Sequence, residues 1–353
     1  MQAMSAVEID ASNRVRVECL TPRIARIRLY RDGKLPEGTG LNRYGFLTPP
    51  TVPEFAVTRQ GGTVATEAMR VTVSPEGLVT VADGTGATVL EQVSAAYLPG
   101  GSVARFRAAA GEDWVGFGDQ TRDRLFHRGH VADCHVRNVK SYIPVPFFMS
   151  TRGAGVLVNT THRIVFDMCA EDADHFEWRD GSGAVDYYVF VAPTFLELLD
   201  LYTSLSGRPK LPPEWSFGLW YICRTQANDR EAVDDAVNFR REGIPCDVIG
   251  LEPGWMERNY DATTAKTWSA QRFPIPTWAP KGPHNFFNAI KRMGYKMELW
   301  LCCDYDLAHE EERRIGGTIG PDRAEDNTGF FQHDAEQDAH FSHPRYLDTS
   351  TKR

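Results

Sequence analysis

The sequence predicts a chain in two parts: an antiparallel β-sandwich, then a parallel α/β segment. Three observations predict it. Up to about residue 195, β-branched and polar residues alternate in short runs that Gly, Pro or Asp interrupts. At Pro193–Ser206 the apolar period becomes helical, and the Pro-rich stretch Pro209–Pro213 reads as a linker. Beyond it, strand-like and helix-like runs take turns. The chain has 353 residues, room for two domains, and the expected division is 1–208 and 209–353. With 42% hydrophobic and 24% charged residues, disordered, collagen-like and disulfide-stapled classes are excluded.

In the first part, expected strands include Arg14–Glu18, Ile24–Tyr30, Thr63–Ala65, Arg70–Val73, Leu78–Val81, Gly155–Asn159 and Tyr187–Val191. Phe195, Leu196, Leu199 and Tyr202 fall at helical spacing, and Gly207 with Pro209 stops that helix. In the second part, Ser216–Cys223 is an apolar run suited to a buried strand. Asn228 with Glu231 three residues on resembles a capping box. Ala232, Val233, Ala236 and Val237 form the stripe of the helix it opens, and Gly243 ends it. Cys246–Leu251 reads as a second buried strand, followed by a long loop from about Pro253 to His284. Phe286, Phe287, Ile290 and Met293 stripe a second helix, closed by Gly294, and Lys296–Cys302 reads as a third strand. This order implies parallel pairing through right-handed crossovers. From Ala308 the chain is acidic and briefly helical, then irregular.

Lys and Arg number 39 and Asp and Glu 47, a formal net charge of −8 with no basic run, so a nucleic-acid partner is not expected. The seven cysteines are scattered without CxxC spacing, which points to free thiols in a reducing, cytoplasmic compartment. No apolar stretch approaches the roughly 18 residues of a membrane span, and the N-terminus has no signal-peptide core. The sequon Asn159-Thr160-Thr161 carries no weight without a secretion signal.

Ligands of parallel α/β units sit beyond the carboxyl ends of the strands. Trp220 to Arg224, Gly250 to Met256 and Trp300 to Asp306 occupy those positions. Carboxylates, an arginine and indoles there suit a sugar, because acids grip hydroxyls and flat rings stack on C–H faces. Glu252 directly follows the buried run Val248–Leu251, where a merely solvated charge would be unusual. Asp304 could equally pair with Arg224 as structure, and each of Trp220, Trp255, Trp268, Trp278 and Trp300 could be core. Glu252 and Asp304 could also be read as an acid and nucleophile pair. Dinucleotide, P-loop and nucleophile-elbow motifs are missing. His127, His130 and His135 with Asp133 and Cys134, and His333, His340 and His343 with their acids, lack zinc-site spacing, so no metal is expected. Cys302-Cys303 is expected to be packed, not redox-active.

Gly116–Asp119 (GFGD) and Lys140–Asn159 (KSYIPVPFFMSTRGAGVLVN) resemble the N-terminal sandwich of glycoside hydrolase family 31, which includes α-glucosidases and α-xylosidases. Pro212–Trp220 (PPEWSFGLW) resembles the start of its barrel, and Ile244–Met256 (IPCDVIGLEPGWM) its second strand. The resemblance implies a galactose-mutarotase-like sandwich before a (β/α)8 TIM barrel, and retaining hydrolysis of α-linked sugars without a cofactor. It places the catalytic aspartates on strands four and six, past Arg353, so no catalytic residue is assigned here. Glu252 matches the position where the family usually carries an Asp that binds non-reducing-end hydroxyls, and the longer side chain marks a possible change of sugar. Trp220, Arg224, Trp255, Trp300 and Asp304 are implied as pocket lining, and the loop Asp133–Tyr142 as reaching toward the active site. Glu252 and Asp304 are then binding groups, not the catalytic pair.

A barrel takes about 200–250 residues, whereas 141 run from Pro213 to the end. The expected fold is therefore a sandwich followed by an incomplete TIM barrel. Three functions are weighed: a family 31 glycosidase lacking its catalytic pair; an inactive fragment with residual sugar binding, or half of a split enzyme completed by a second chain; and a mutarotase-like epimerase on the sandwich. The expected partner is an α-linked oligosaccharide or glycoside, with neither nucleic acid nor membrane.

Overall fold

A computed structural model describes residues 14–36, 38–120, 124–135, 143–258 and 266–301. The chain divides into two compact units at Arg208 and Pro209. In the first unit the strands are β1 (Val15–Thr21), β2 (Ile24–Leu29), β3 (Thr58–Gln60), β4 (Thr63–Ala65), β5 (Met69–Val73), β6 (Val79–Asp83), β7 (Thr88–Leu98), β8 (Gly101–Arg107), β9 (Trp114–Gly118), β10 (His130–Cys134), β11 (Pro144–Ser150), β12 (Ala154–Val158), β13 (Ile164–Met168), β14 (His175–Asp180) and β15 (Asp186–Val191). A short helix α1 (Gly40–Arg43) follows β2, and α2 (Phe195–Ser206) follows β15.

These strands form two sheets, in the orders β1-β2-β15-β12-β11-β9 and β10-β13-β14-β8-β7-β6-β5-β4-β3. All their pairings are antiparallel. The two sheets share one core, to which Val17, Ile27, Val156 and Tyr187 come from the first and Val71, Phe106, Phe166 and Trp178 from the second. Alternation explains this: in β1 every second residue is buried. β12 and β15 are instead buried along their whole length. The outer face of their sheet is covered, with Leu198 and Leu205 of α2 packed among Phe147, Leu157 and Phe190. Tyr202 stacks on Phe147 at 4.1 Å. Thr194 caps α2 by accepting from the Glu197 amide, and Gly207 at φ +96° closes it.

One polar network crosses that covered face. Arg26 forms a fork with Asp186, whose side chain is 1% exposed. The Asn159 amide donates to Asp186 at 2.7 Å and to Asn42 at 2.8 Å, and it accepts from Thr39 at 2.8 Å. Asn159 is thus 1% exposed and fully engaged, which is why its sequon cannot serve as a glycan acceptor in the folded chain.

The second unit contains a 3-10 turn at Glu214–Phe217, then β16 (Trp220–Cys223), α3 (Asp229–Arg241), β17 (Val248–Leu251), a 3-10 turn at Pro253–Trp255, α4 (His284–Arg292) and β18 (Lys296–Leu299). The sheet order is β16-β17-β18, parallel throughout, with Trp220, Val248 and Lys296 in line. Asn228 and Glu231 form the expected capping box at α3, and Gly243 and Gly294 follow the two helices with φ of +66° and +86°. Cys223, Ile249 and Leu251 pack with Ala232, Ala236, Phe286 and Ile290, so both helices cover one face of the sheet.

The run Ser216–Cys223 departs from expectation. Ser216 bonds back to the Pro213 carbonyl at 2.6 Å and holds the chain in a 3-10 turn, so the strand starts only at Trp220. Nor is it fully buried: Trp220 is 41% and Ile222 39% exposed. Alternation turns Tyr221 and Cys223 toward the helices and leaves Trp220 and Ile222 on the other face. The third strand ends at Leu299, and the expected features from Cys302 onward, including Cys302-Cys303, Asp304, the helical segment after Ala308 and the His333–His343 cluster, lie outside the described residues. No helix among the described residues is long and apolar enough to cross a membrane.

Candidate functional site

The register of the parallel sheet ends Cys223, Leu251 and Leu299 in one line. Arg224, Glu252 and Trp300 are the next residues, so the structure brings these three together at the carboxyl edge. The Trp300 amide continues the ladder to the Leu251 carbonyl at 2.9 Å, which fixes Trp300 beside Glu252. Glu252 is half-buried in extended backbone, and the 3-10 turn after it begins with Pro253. Gly254 makes that turn possible: a Cβ there would stand 1.6 Å from the Thr225 carbonyl oxygen. Arg272 holds the turn from outside through a 2.7 Å bond to the Gly254 carbonyl.

The other expected lining residues are engaged in structure, at this edge or away from it. Trp220 opens β16, at the amino end of the sheet, because the strand runs from it toward Arg224. Three further residues at about 3.3 Å each separate it from the Glu252 edge. There it stacks on Trp215 at 6.2 Å, and its indole donates to the Ser216 carbonyl. Trp255 is 6% exposed; its indole donates to the Trp300 carbonyl at 2.8 Å and its ring packs on Trp268 at 4.8 Å. Trp268 in turn meets Phe273 and Phe287, so both indoles are core. Trp278 is 67% exposed and lies 5.5 Å from the His284 ring. Arg224 is ion-paired with Glu231, the same side chain that closes the capping box. Asp304 and residues 136–142 of the expected active-site loop lie outside the described residues.

Glu298 belongs to this face and was not among the residues expected. It pairs in register with Gly250, on the side away from the helices. Burial and the nearby charge of Glu252 push its carboxyl above the usual glutamate range. The signal that could have found it is parity: Glu298 lies between Met297 and Leu299, which pack toward the helices, and so takes the other face of β18.

The histidine cluster of the first unit is structural. His127 is 2% exposed and meets the Phe117 ring edge-on at 4.9 Å, His130 is exposed, and Asp133 pairs with Arg163 at 2.7 Å. The Cys134 thiol is pushed up to about 12 by burial. No group of three metal-ligating side chains occurs among the described residues.

An acid, an arginine and an indole thus stand at the carboxyl edge of a parallel α/β sheet, the edge at which such folds bind ligands. Residues 209–349 match the family model described as the glycosyl hydrolases family 31 TIM-barrel domain. The α-xylosidase XylQ of Lactiplantibacillus pentosus is 30% identical over 164 residues, covering 46% of this chain and 20% of the relative. An α-glucosidase of Saccharolobus solfataricus is 30% identical over 139 residues, covering 38% and 19%. Among solved structures, a family 31 dextranase of Flavobacterium johnsoniae in complex with isomaltotriose superposes with a TM-score of 0.69 at 19% identity, covering 87% of this chain and 38% of that one. A family 31 α-xylosidase from a soil metagenome, complexed with xylose, gives 0.71 at 16% identity, covering 90% and 49%. Residues 209–349 belong to the glycosyl hydrolase family 31 barrel-domain family. The matched stretches span about a fifth of the length of these curated relatives.

Proposed function

We propose that this chain serves the hydrolysis of an α-linked sugar, an α-xyloside or α-glucoside, and that its own share of the work is to grip the sugar. In this reading the two-sheet unit is a galactose-mutarotase-like sandwich, and β16 to β18 are the opening strands of a (β/α)8 barrel. Glu252 accepts hydrogen bonds from sugar hydroxyls, Trp300 offers a flat apolar wall beside it, and the pair of carboxylates that breaks the glycosidic bond is not among the residues of this chain. The observation that carries the reading is the position of Glu252. It is a half-buried carboxylate at the carboxyl edge of a buried strand, and no hydrogen bond or ion pair among the described residues engages it. A carboxylate so placed lacks the partner that burial normally demands, and a hydroxyl-rich ligand supplies one. The relatives named α-xylosidase and α-glucosidase support the substrate class. The five cysteines among the described residues are free and buried, which supports a reducing compartment.

The test is turnover beside binding. Purified protein should release no p-nitrophenol from p-nitrophenyl α-D-xylopyranoside or α-D-glucopyranoside, while still binding the methyl α-glycoside of one of those sugars. Clear turnover would place the catalytic pair inside this chain and overturn the proposal.

A further inference from the structure

The first unit carries a cavity of about 460 Å³ at the ends of its strands. That volume falls within the roughly 300–1,000 Å³ of small-molecule sites. Turns and strand ends from distant parts of the chain wall it, and hydrogen bonds tie them together. Thr66, in the turn from β4 to β5, donates to the Pro22 carbonyl at 2.6 Å. The Val191 amide, at the end of β15, donates to the Arg23 carbonyl at 3.0 Å, and the Ala192 amide to the Gly153 carbonyl at 3.1 Å. The Arg152 guanidinium donates to the Thr88 carbonyl. Glycines let the turns close up. A Cβ would stand 3.1 Å from the Glu67 carbonyl oxygen at Gly84, and 2.8 Å from the Ala192 carbonyl oxygen at Gly153.

The lining divides by chemistry. Val89, Val191 and Ala192 are buried and form an apolar floor. Around it stand two cations, Arg23 and Arg152, and two acids, Glu67 and Asp83. No ion pair joins these four to one another, and each keeps atoms for a ligand. The Arg23 guanidinium and the Glu67 carboxylate have no hydrogen-bond partner among the described residues. The Thr85 amide, the Thr85 hydroxyl and the Ala87 amide all donate to Oδ1 of Asp83, which leaves Oδ2. Arg152 uses one terminal nitrogen on Thr88 and keeps its other donors.

We propose that this cavity binds an acidic sugar, a uronic acid or its glycoside. The arginines take the carboxylate, for which the guanidinium fork is shaped. The sugar hydroxyls donate to Glu67 and Asp83, and the C–H face of the ring lies on the apolar floor. A neutral hexose leaves both guanidinium groups without their anion. A bare carboxylate leaves the acids and the floor unused. The site uses no residue of the second unit and does not depend on Glu252.

The experiment is amide NMR of the full chain titrated with methyl α-D-glucopyranosiduronate, methyl α-D-glucopyranoside and acetate. The glucuronide should shift the Gly84, Gly153 and Ala192 amides, and the other two compounds should bind there at least roughly tenfold more weakly. Arg23→Gln and Glu67→Gln remove no bond of the folded chain, so both variants should melt as the wild type does. Arg23→Gln should weaken the glucuronide by roughly tenfold, Glu67→Gln by a smaller factor, and Glu252→Ala should leave its affinity unchanged. A glucuronide that moves none of the three amides at millimolar concentration overturns the proposal, as does undiminished binding by Arg23→Gln. Acetate binding as tightly would reduce the cavity to a plain anion site, and the glucoside binding as tightly would deny the arginines their part; either result also overturns it.

Discussion

The Trp255 indole donates a 2.8 Å hydrogen bond to the carbonyl oxygen of Trp300. It clips the turn after β17 to the end of β18, so the backbone that carries Glu252 is tied to the backbone that carries Trp300. Trp255, expected to line a sugar site, is instead a buried brace. Trp255→Phe should keep the packing against Trp268 and lose the clip, costing about 1 kcal/mol. Trp255→Ala should also open a cavity and cost about 3–5 kcal/mol. Urea unfolding followed by circular dichroism checks both, and equal losses in the two variants would deny the hydrogen bond any role.

Gly254 passes under the Thr225 carbonyl with no room for a methyl group. Gly254→Ala must therefore push the turn after Glu252 away from the loop after β16. The expected cost is about 1–3 kcal/mol, with loss of any sugar binding at Glu252. Thermal melts and binding measured on the same preparation test this; a variant that binds sugar as the wild type does would show that the turn has slack.

Asp186 in the first unit is almost completely buried and depends on Arg26 and Asn159 for its partners. Arg26→Met leaves a buried carboxylate without its fork, and should cost about 3–5 kcal/mol. Replacing the pair together, Arg26→Met with Asp186→Leu, should cost much less than Arg26→Met alone. A double-mutant cycle by denaturant unfolding reads the difference.

Two groups give the stability a predictable pH dependence. Burial lowers the His127 imidazole below its ordinary value of 6.5, with Arg124 and His130 adding to the effect. The unfolded chain then takes up the proton first, so stability is lost as pH falls below 6.5 toward the folded value. Glu298 is shifted the other way, up, by burial and then by Glu252. The folded chain holds that proton longer, so stability is lost as pH rises from the ordinary value of 4.5 through the raised one. Melts between pH 4 and 8 should show His127→Phe flattening the loss that begins as pH falls below 6.5, and Glu298→Gln the loss that begins as pH rises above 4.5. Unchanged slopes in either variant would count against the burial of that group.

Much of this was legible in the chain. Strands of the first unit such as β1 announce themselves because only one face is fully buried, whereas β12 and β15 are buried on both. The α3 capping box is a local signal, since Asn228 and Glu231 satisfy each other within one turn. What could not be read was which end and which face a residue takes. Trp220 sits in an apolar run that looked like one strand, but a 3-10 turn consumes its first half and moves Trp220 to the amino edge. Trp255 and Trp268 have the composition of a ligand platform and the packing of a core, and only the tertiary partners decide. Arg224 was weighed against Asp304, whereas its partner is the capping glutamate seven residues on. Glu298 escaped notice because its carboxyl lies over Gly250, a residue on another strand that leaves room by lacking a side chain.

The central claim is that Glu252 grips an α-linked sugar at the carboxyl edge of β17. Isothermal titration of the full chain with methyl α-D-xylopyranoside and methyl α-D-glucopyranoside, beside Glu252→Ala, tests it most directly. The account predicts measurable binding of one of them by the wild type and at least a tenfold loss in the variant, about 1.4 kcal/mol. Equal affinity in the two proteins, or no binding of either sugar by the wild type, would contradict it.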